Sequence, residues 1–184
     1  MVTIKLVSSE DELRGIQELQ QKNLRKNITE MEAAEQGFLM AEYNLDFLKK
    51  MHEAAASVIA VAEGNVVGYS LVSLKTIRDE HPLVADLFNT IDRLPFQSKV
   101  LSESNYVVVG QLCIGKEFRG IGLVDQLYQY FKDCYANEYE YLITDVAKAN
   151  QRSLKAHKRT GFQVIDELVY DGIGWDIVLW DWNK

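Results

Sequence analysis

A chain of 184 residues that is 47% hydrophobic can bury one sizeable core and is short for two, so one domain over residues 1–184 is expected. Acidic residues outnumber basic ones 27 to 20, a net charge of -7, which argues against a nucleic-acid backbone or an anionic membrane as the main partner. MVTIKLVSSEDELRGIQELQ carries acids and amides where a signal peptide has an unbroken apolar stretch, and no later run approaches ~18 uncharged apolar residues. A cytoplasmic protein is therefore expected. Cys113 and Cys134 have no metal-ligand spacing, so both are expected as reduced thiols and no metal is expected.

TIKLV is expected as a short strand, and SSEDELRGIQELQQKN as a helix that Ser8 or Ser9 can cap, with Leu13, Ile16 and Leu19 on one side. ITEMEAAEQGFLMAEYNLDFLKKMHEA then gives two helical stretches broken near Gly37, set over one end of the sheet. SVIAVAEGNVVGYSLVSLK flanks Glu63-Gly64-Asn65 with two β-rich runs, which is a hairpin signal. HPLVADLFNTIDRL follows as a helix with Leu83, Leu87 and Ile91 aligned. The strand YVVVGQLCI runs directly into KEFRGIGLVDQLYQYFKDCY, a basic glycine turn that opens a helix. Its apolar stripe is Ile121, Val124, Leu127, Tyr128, Phe131, Cys134 and Tyr135.

YEYLITDVA is a further strand, and NQRSLKAHKRTGF a short helix that Gly161 can end. The chain closes with FQVIDELVY, the turn DGIG and WDIVLWDW. Trp175, Ile177 and Leu179 alternate there with Val178, Trp180 and Trp182, so this strand is apolar on both faces and belongs inside the sheet. The fold class is α/β, a single-domain mixed central β-sheet of about six to seven strands flanked by helices.

Glycine costs roughly 1 kcal/mol against alanine inside a helix, so Gly120 and Gly122 at a helix start need a tight turn or a close approach to the backbone. The first N–H groups of a helix lack partners and its dipole favours negative charge, which makes this a candidate anion site with Arg119 beside it. An ordinary turn with a solvated arginine is the plain alternative. A dinucleotide fingerprint fits less well because Asp125 takes the third glycine position, and no Gly-Lys-Ser/Thr follows for a P-loop.

The pairing of Arg119-Gly-Ile-Gly122-Leu-Val124 after one strand with Asn150, Ser153, His157 and Gly161-Phe162 after the next resembles the GNAT superfamily of acyl-CoA-dependent N-acyltransferases. Two positions depart from the family pattern. Val124 stands where glycine or alanine is usual, and His157 where tyrosine is usual. The resemblance implies acetyl-CoA, or a longer acyl-CoA, as co-substrate. Backbone groups of Arg119, Gly120, Gly122, Leu123 and Val124 would hold its pyrophosphate. Leu112 and Ile114 would pair with the pantetheine amides like one more strand, with Asn150 and Ser153 against the same arm.

It also implies direct attack of an amine on the thioester, with His157 as the acid for the leaving thiolate. Cys113 lies opposite Leu112 and Ile114 in the strand alternation and is expected in the core, not as an acyl carrier. No base is evident, because YVVVGQLCI holds no carboxylate; Asp145, Glu63 and Glu103 remain. Phe38, Tyr43, Phe47 and Phe96 are candidates for the acceptor pocket. The expected acceptor is a small primary amine such as an amino acid or polyamine. The alternative is an inactive CoA-binding sensor or interaction module of the same fold. Whether two chains form a homodimer is left open by the sequence.

Overall fold

The computed structural model describes residues 1–170 and 172–184; Asp171, in the expected DGIG turn, lies outside the described residues. β1 (Val2–Leu6) leads into α1 (Glu10–Asn23). Ser9 accepts the Glu12 N–H at 3.3 Å, while Glu12 Oε2 accepts the Ser8 N–H at 2.7 Å, so the helix start is closed from both sides. After α2 (Glu30–Gln36) and α3 (Leu45–Ala54) come β2 (Val58–Ala62) and β3 (Asn65–Ser73), the expected hairpin. Next are α4 (Pro82–Ile91), a small hairpin of β4 (Pro95–Phe96) and β5 (Lys99–Val100), and β6 (Tyr106–Ile114). The chain finishes with α5 (Leu123–Tyr135), β7 (Tyr141–Ala147), α6 (Gln151–Thr160), β8 (Gln163–Tyr170) and β9 (Ile173–Asp181).

Seven strands form one sheet in the order β1-β2-β3-β6-β7-β9-β8. Among the described strand pairs of this sheet, only β6–β7 is parallel. As its two-sided apolar pattern required, β9 lies inside the sheet: Ile177 and Leu179 join the core under α1, α3 and α4, and Val178 and Trp182 the core under α5. Leu13, Ile16 and Leu19 are buried in the first of these, as expected from their spacing.

Two helix readings need correction. α5 starts at Leu123, and Ile121, read as part of its buried stripe, is 57% exposed in the turn before it. In α4 the buried residues are Val84, Leu87, Phe88 and Ile91, while Leu83 faces a cavity described below. Spacing alone did not separate these, since Leu83 and Val84 sit next to each other at the edge of one wide apolar face.

One irregularity decides which way the central strand faces. Leu71 of β3 pairs with Gln111, but Val72 pairs with Val109, so Gly110 is the extra residue of a bulge. The bulge reverses the alternation. Val107 and Val109 share a core with Leu112 and Ile114, whereas Val108 and Cys113 lie in the other. A Cβ on Gly110 would stand 2.3 Å from Ser73 Oγ and 3.2 Å from Met51 Cε. Gly110→Ala is therefore expected to cost about 1–3 kcal/mol in urea unfolding, most of it recovered in the double variant with Ser73→Gly. Equal costs with and without Ser73→Gly would place the strain elsewhere.

Candidate active site

The bulge lies where β6 and β7 part. Their parallel ladder runs through Tyr106↔Tyr141, Val107↔Leu142 and Val108↔Ile143 and then stops. Side chains take over part of the lost pairing: Thr144 Oγ1 donates to Val109 O at 2.9 Å, and Tyr43 OH to Gly110 O at 3.3 Å. Beyond that point two spaces open. One, of about 260 Å3, lies between Ile114, the glycine turn and the start of α6; the other, of about 440 Å3, lies between the parted strands, β9 and α4. Leu112, Asn150 and Ser153 border both, so the spaces meet at these residues.

Gly120 and Gly122 have φ of 83° and 82°, the left-handed region that favours glycine, and Gly122 caps α5 with no side-chain bond. Among the described residues, the N–H groups of residues 120–125 have no hydrogen-bond acceptor; the first bond of the helix is Gln126 N–H to Gly122 O at 3.2 Å. Nothing lies within 4 Å of where a Gly122 Cβ would be, and Gly120 and Gly122 border the smaller cavity. Leu123 is buried in the core behind them and Val124 borders the smaller cavity.

Arg119 is placed differently from the free phosphate fork expected. Its Nε donates to Ile114 O at 3.1 Å and its Nη2 to Asn23 Oδ1 at 2.6 Å, so the side chain ties the turn to β6 and α1. Sequence reasoning missed Arg152 and Arg159, which bring two more cations to the smaller cavity. Arg152 donates to Gln36 Oε1 at 2.6 Å, and Arg159 pairs with Asp125 at 2.9 Å. Both lie on α6, Arg152 in its first turn and Arg159 in its last, within the stretch that the Asn150 to Gly161 motif spans.

Asn150 caps α6, its Oδ1 accepting the Ser153 N–H at 3.1 Å, and its amide nitrogen packs on Gly37, where a Cβ would come within 2.2 Å. His157 is only 3% exposed. Its Nδ1 lies 2.8 Å from Ser153 O, which can only accept, so Nδ1 carries the proton; Nε2, 2.7 Å from Tyr128 OH, then accepts from the phenol. Burial pushes the His157 pKa down to about 4. A neutral ring whose one proton is held by a carbonyl is ill suited to protonate a thiolate, so the geometry does not support the acid role expected for His157. The burial of Tyr128 follows the expected stripe of α5, but its bond to His157 was not visible in the motif spacing.

Asp145 has the opposite character. It follows Thr144 on β7, just past the last β6–β7 pair, on the face shared with Ile143, and it borders the larger cavity. No side chain among the described residues bonds or pairs with its carboxyl. Burial raises its pKa to about 6. Of the other carboxylates considered, Glu63 and Glu103 are exposed and border neither space. Phe38 and Tyr43 line the larger cavity; Phe47 packs on Tyr43 and His81, and Phe96 on Tyr141, both away from it. Cys113 is buried with its thiol pushed up to about 12, in the core as expected.

The two shifts act on stability in opposite senses. For His157 the folded value lies below the ordinary 6.5, so its contribution is complete above about 6.5 and is lost as pH falls toward 4. For Asp145 the folded value lies above 3.8, so stability is lost as pH rises from about 4 to about 6. Asp145→Asn removes only the second effect. The variant is expected to be more stable than the parent by about 1–3 kcal/mol at pH 7.5, with the gap closing by pH 4, in urea titrations. A less stable variant at pH 7.5 would mean that the carboxylate has a partner. His157→Phe is expected to cost about 1–3 kcal/mol by leaving the buried Tyr128 hydroxyl without its partner.

A sequence profile of the Acetyltransferase (GNAT) family matches residues 16–162. No curated protein is significantly similar in sequence. Among solved structures, a GNAT-family acetyltransferase from Streptococcus agalactiae shares the fold at 16% identity and a TM-score of 0.66, over 100% of this chain and 96% of that one. A putative acetyltransferase from Salmonella typhimurium, solved with its cofactor acetyl-CoA, matches at 14% identity and 0.66, over 100% and 95%. A ribosomal-protein-alanine N-acetyltransferase from Brucella melitensis matches at 15% identity and 0.64, over 97% and 99%. With parted strands, an open glycine turn and a profile that spans most of its length, the chain belongs to the GNAT family of acetyltransferases.

Proposed function

We propose that the protein is an N-acetyltransferase that moves an acetyl group from acetyl-CoA to the primary amine of a small acceptor by direct attack on the thioester. The observation that carries this is the meeting of two chemically distinct spaces at Leu112, Asn150 and Ser153. The smaller offers unpaired N–H groups and arginines, which suits a pyrophosphate; the edge of β6 at Leu112 and Ile114 leads from it to the larger space, which suits an extended arm bearing amides. Leu123 and Val124 contribute their N–H groups to the first site, so the valine side chain does not remove a donor.

The larger space, under α4 and beside Asp145, suits an acceptor of a few carbon and nitrogen atoms. Some structural neighbours carry names that point to protein acceptors, such as the Brucella enzyme, so peptides belong in any acceptor panel. Since His157 is buried, neutral and doubly bonded, the departing thiolate takes its proton from the nitrogen of the acceptor as the amide forms. His157 holds Tyr128 and the first turn of α6 in place.

Acetyl-CoA at ~100 times its dissociation constant is expected to add about 2.7 kcal/mol to stability, read as a rise in Tm. Gly122→Leu forces a branched side chain onto φ of 82° and in front of the free N–H groups. Measured against its own ligand-free Tm, the variant is expected to lose most of the rise; a full rise would remove the glycine turn from the proposed site. Release of free CoA with an amine panel separates an enzyme from a sensor that binds acetyl-CoA without turnover.

A further inference from the structure

The larger cavity holds a carboxylate that the cofactor site does not use. Asp145 sits at its floor on β7, past the last β6–β7 pair, with Ser153 and Leu112 bordering the same space. The groups around it leave its charge unmatched. From the segment between α2 and α3 comes Tyr43, a phenol that burial and Asp145 itself keep protonated. From α6 comes neutral His157, and from β8 Tyr170. Asp86 of α4 and Arg93, just past the end of that helix, are both exposed, at the rim. Lys148, the cation next along the chain, is committed to Glu167 at 2.5 Å and to Asp176 at 3.7 Å.

Beside the polar Asn89, Thr90 and Gln111, the wall carries an apolar and aromatic part: Phe38 and Trp175 meet edge to face at 6.5 Å, and Leu83 and Leu87 of α4 border the same space. Two polar atoms near the cavity also lack partners among the described residues, Trp175 Nε1 and Ser73 Oγ. A half-buried carboxylate with no cation paired to it among the described residues, set beside aromatic and aliphatic walls, suits a ligand with one positive charge on an apolar body.

We propose that Asp145 receives the acceptor as an ammonium and then takes a proton from it, selecting small primary amines with an apolar or aromatic body. This rests on the N-acetyltransferase function above. The ammonium N–H bond breaks and its proton passes to the Asp145 carboxylate. The freed nitrogen pair forms the C–N bond to the thioester carbonyl, the C–S bond breaks, and the thiolate collects a second proton from the same nitrogen. Asp145 afterwards returns its proton to water. Desolvation aids the first transfer from both ends, because it disfavours the ammonium and the carboxylate alike. With the free carboxyl near about 6, the acidic limb of the rate belongs to this group: activity requires the ionised form and falls as pH drops through that value.

The test is single-turnover acetyl transfer from pre-bound acetyl-CoA between pH 5 and 9, for the parent and Asp145→Asn. Phenethylamine, lysine and a short peptide with a free N-terminus serve as acceptors. Phenethylamine is expected to react fastest with the parent. Asp145→Asn is expected to lower its rate at pH 7.5 by about 100-fold or more and to abolish the acidic limb, with the acetyl-CoA-induced rise in Tm unchanged. A variant that keeps the parent rate and limb overturns the role of Asp145 while leaving N-acetyl transfer intact. A preference for the peptide overturns the acceptor class. Failure of the parent to acetylate any amine, despite binding acetyl-CoA, overturns this proposal together with the function on which it rests.

Discussion

Two parallel strands that pair for three residues and then diverge leave backbone groups with no neighbour, and a buried unpaired amide or carbonyl costs about 1–3 kcal/mol. Much of the site is arranged around that cost. Thr144 and Tyr43 each supply a hydroxyl to the first orphaned carbonyls of β6. The remaining edge of β6 faces a cleft, where an extended ligand can complete the ladder. The bulge at Gly110 turns Leu112 and Ile114 toward the α5 side and Gln111 toward the α1 side, where Gln111 accepts from Tyr69 OH at 2.6 Å and donates to Ala41 O at 2.8 Å. The parting is thus braced on both sides of the strand by bonds that a continuous sheet would not need.

Charge is divided along the same cleft. Arginines and free N–H groups collect at the glycine turn, while the end of β7 presents one carboxylate with no counter-ion. A chain of net charge -7 can therefore hold a polyanion at one end of the cleft and a cation at the other, because the local arrangement outweighs the overall balance. Asp145 is a group that the fold tolerates at some cost in stability; half-buried, ionisable and unpaired among the described residues, it is the kind of residue expected where function has overridden packing.

The strands and the glycine turn were legible because each rests on a local rule. Alternation in WDIVLWDW fixed a strand covered on both faces, and two glycines before an amphipathic run fixed a tight helix start. What could not be read required partners distant in sequence. The inward turn of Arg119 depends on Asn23, and the partner of His157 Nε2 is Tyr128, contributed by a different helix. Asp145 was one of three carboxylates considered, and of those three it alone borders the cavity, just past the end of the β6–β7 ladder. The helix errors at Ile121 and Leu83 have a smaller cause. Ile121 lies in the turn before α5 begins and Leu83 at the edge of the α4 face, where periodicity does not decide between the core, a cleft and solvent.

The central claim is that the parted strands and the open turn form one continuous binding track. Amide hydrogen exchange with and without acetyl-CoA tests it most directly, since it reads individual N–H groups. Strong added protection is expected at residues 120–125, which have no acceptor in the free protein, and along the β6 edge near Leu112 and Ile114. Protection confined to other elements, with residues 120–125 exchanging as fast as before, would contradict the account.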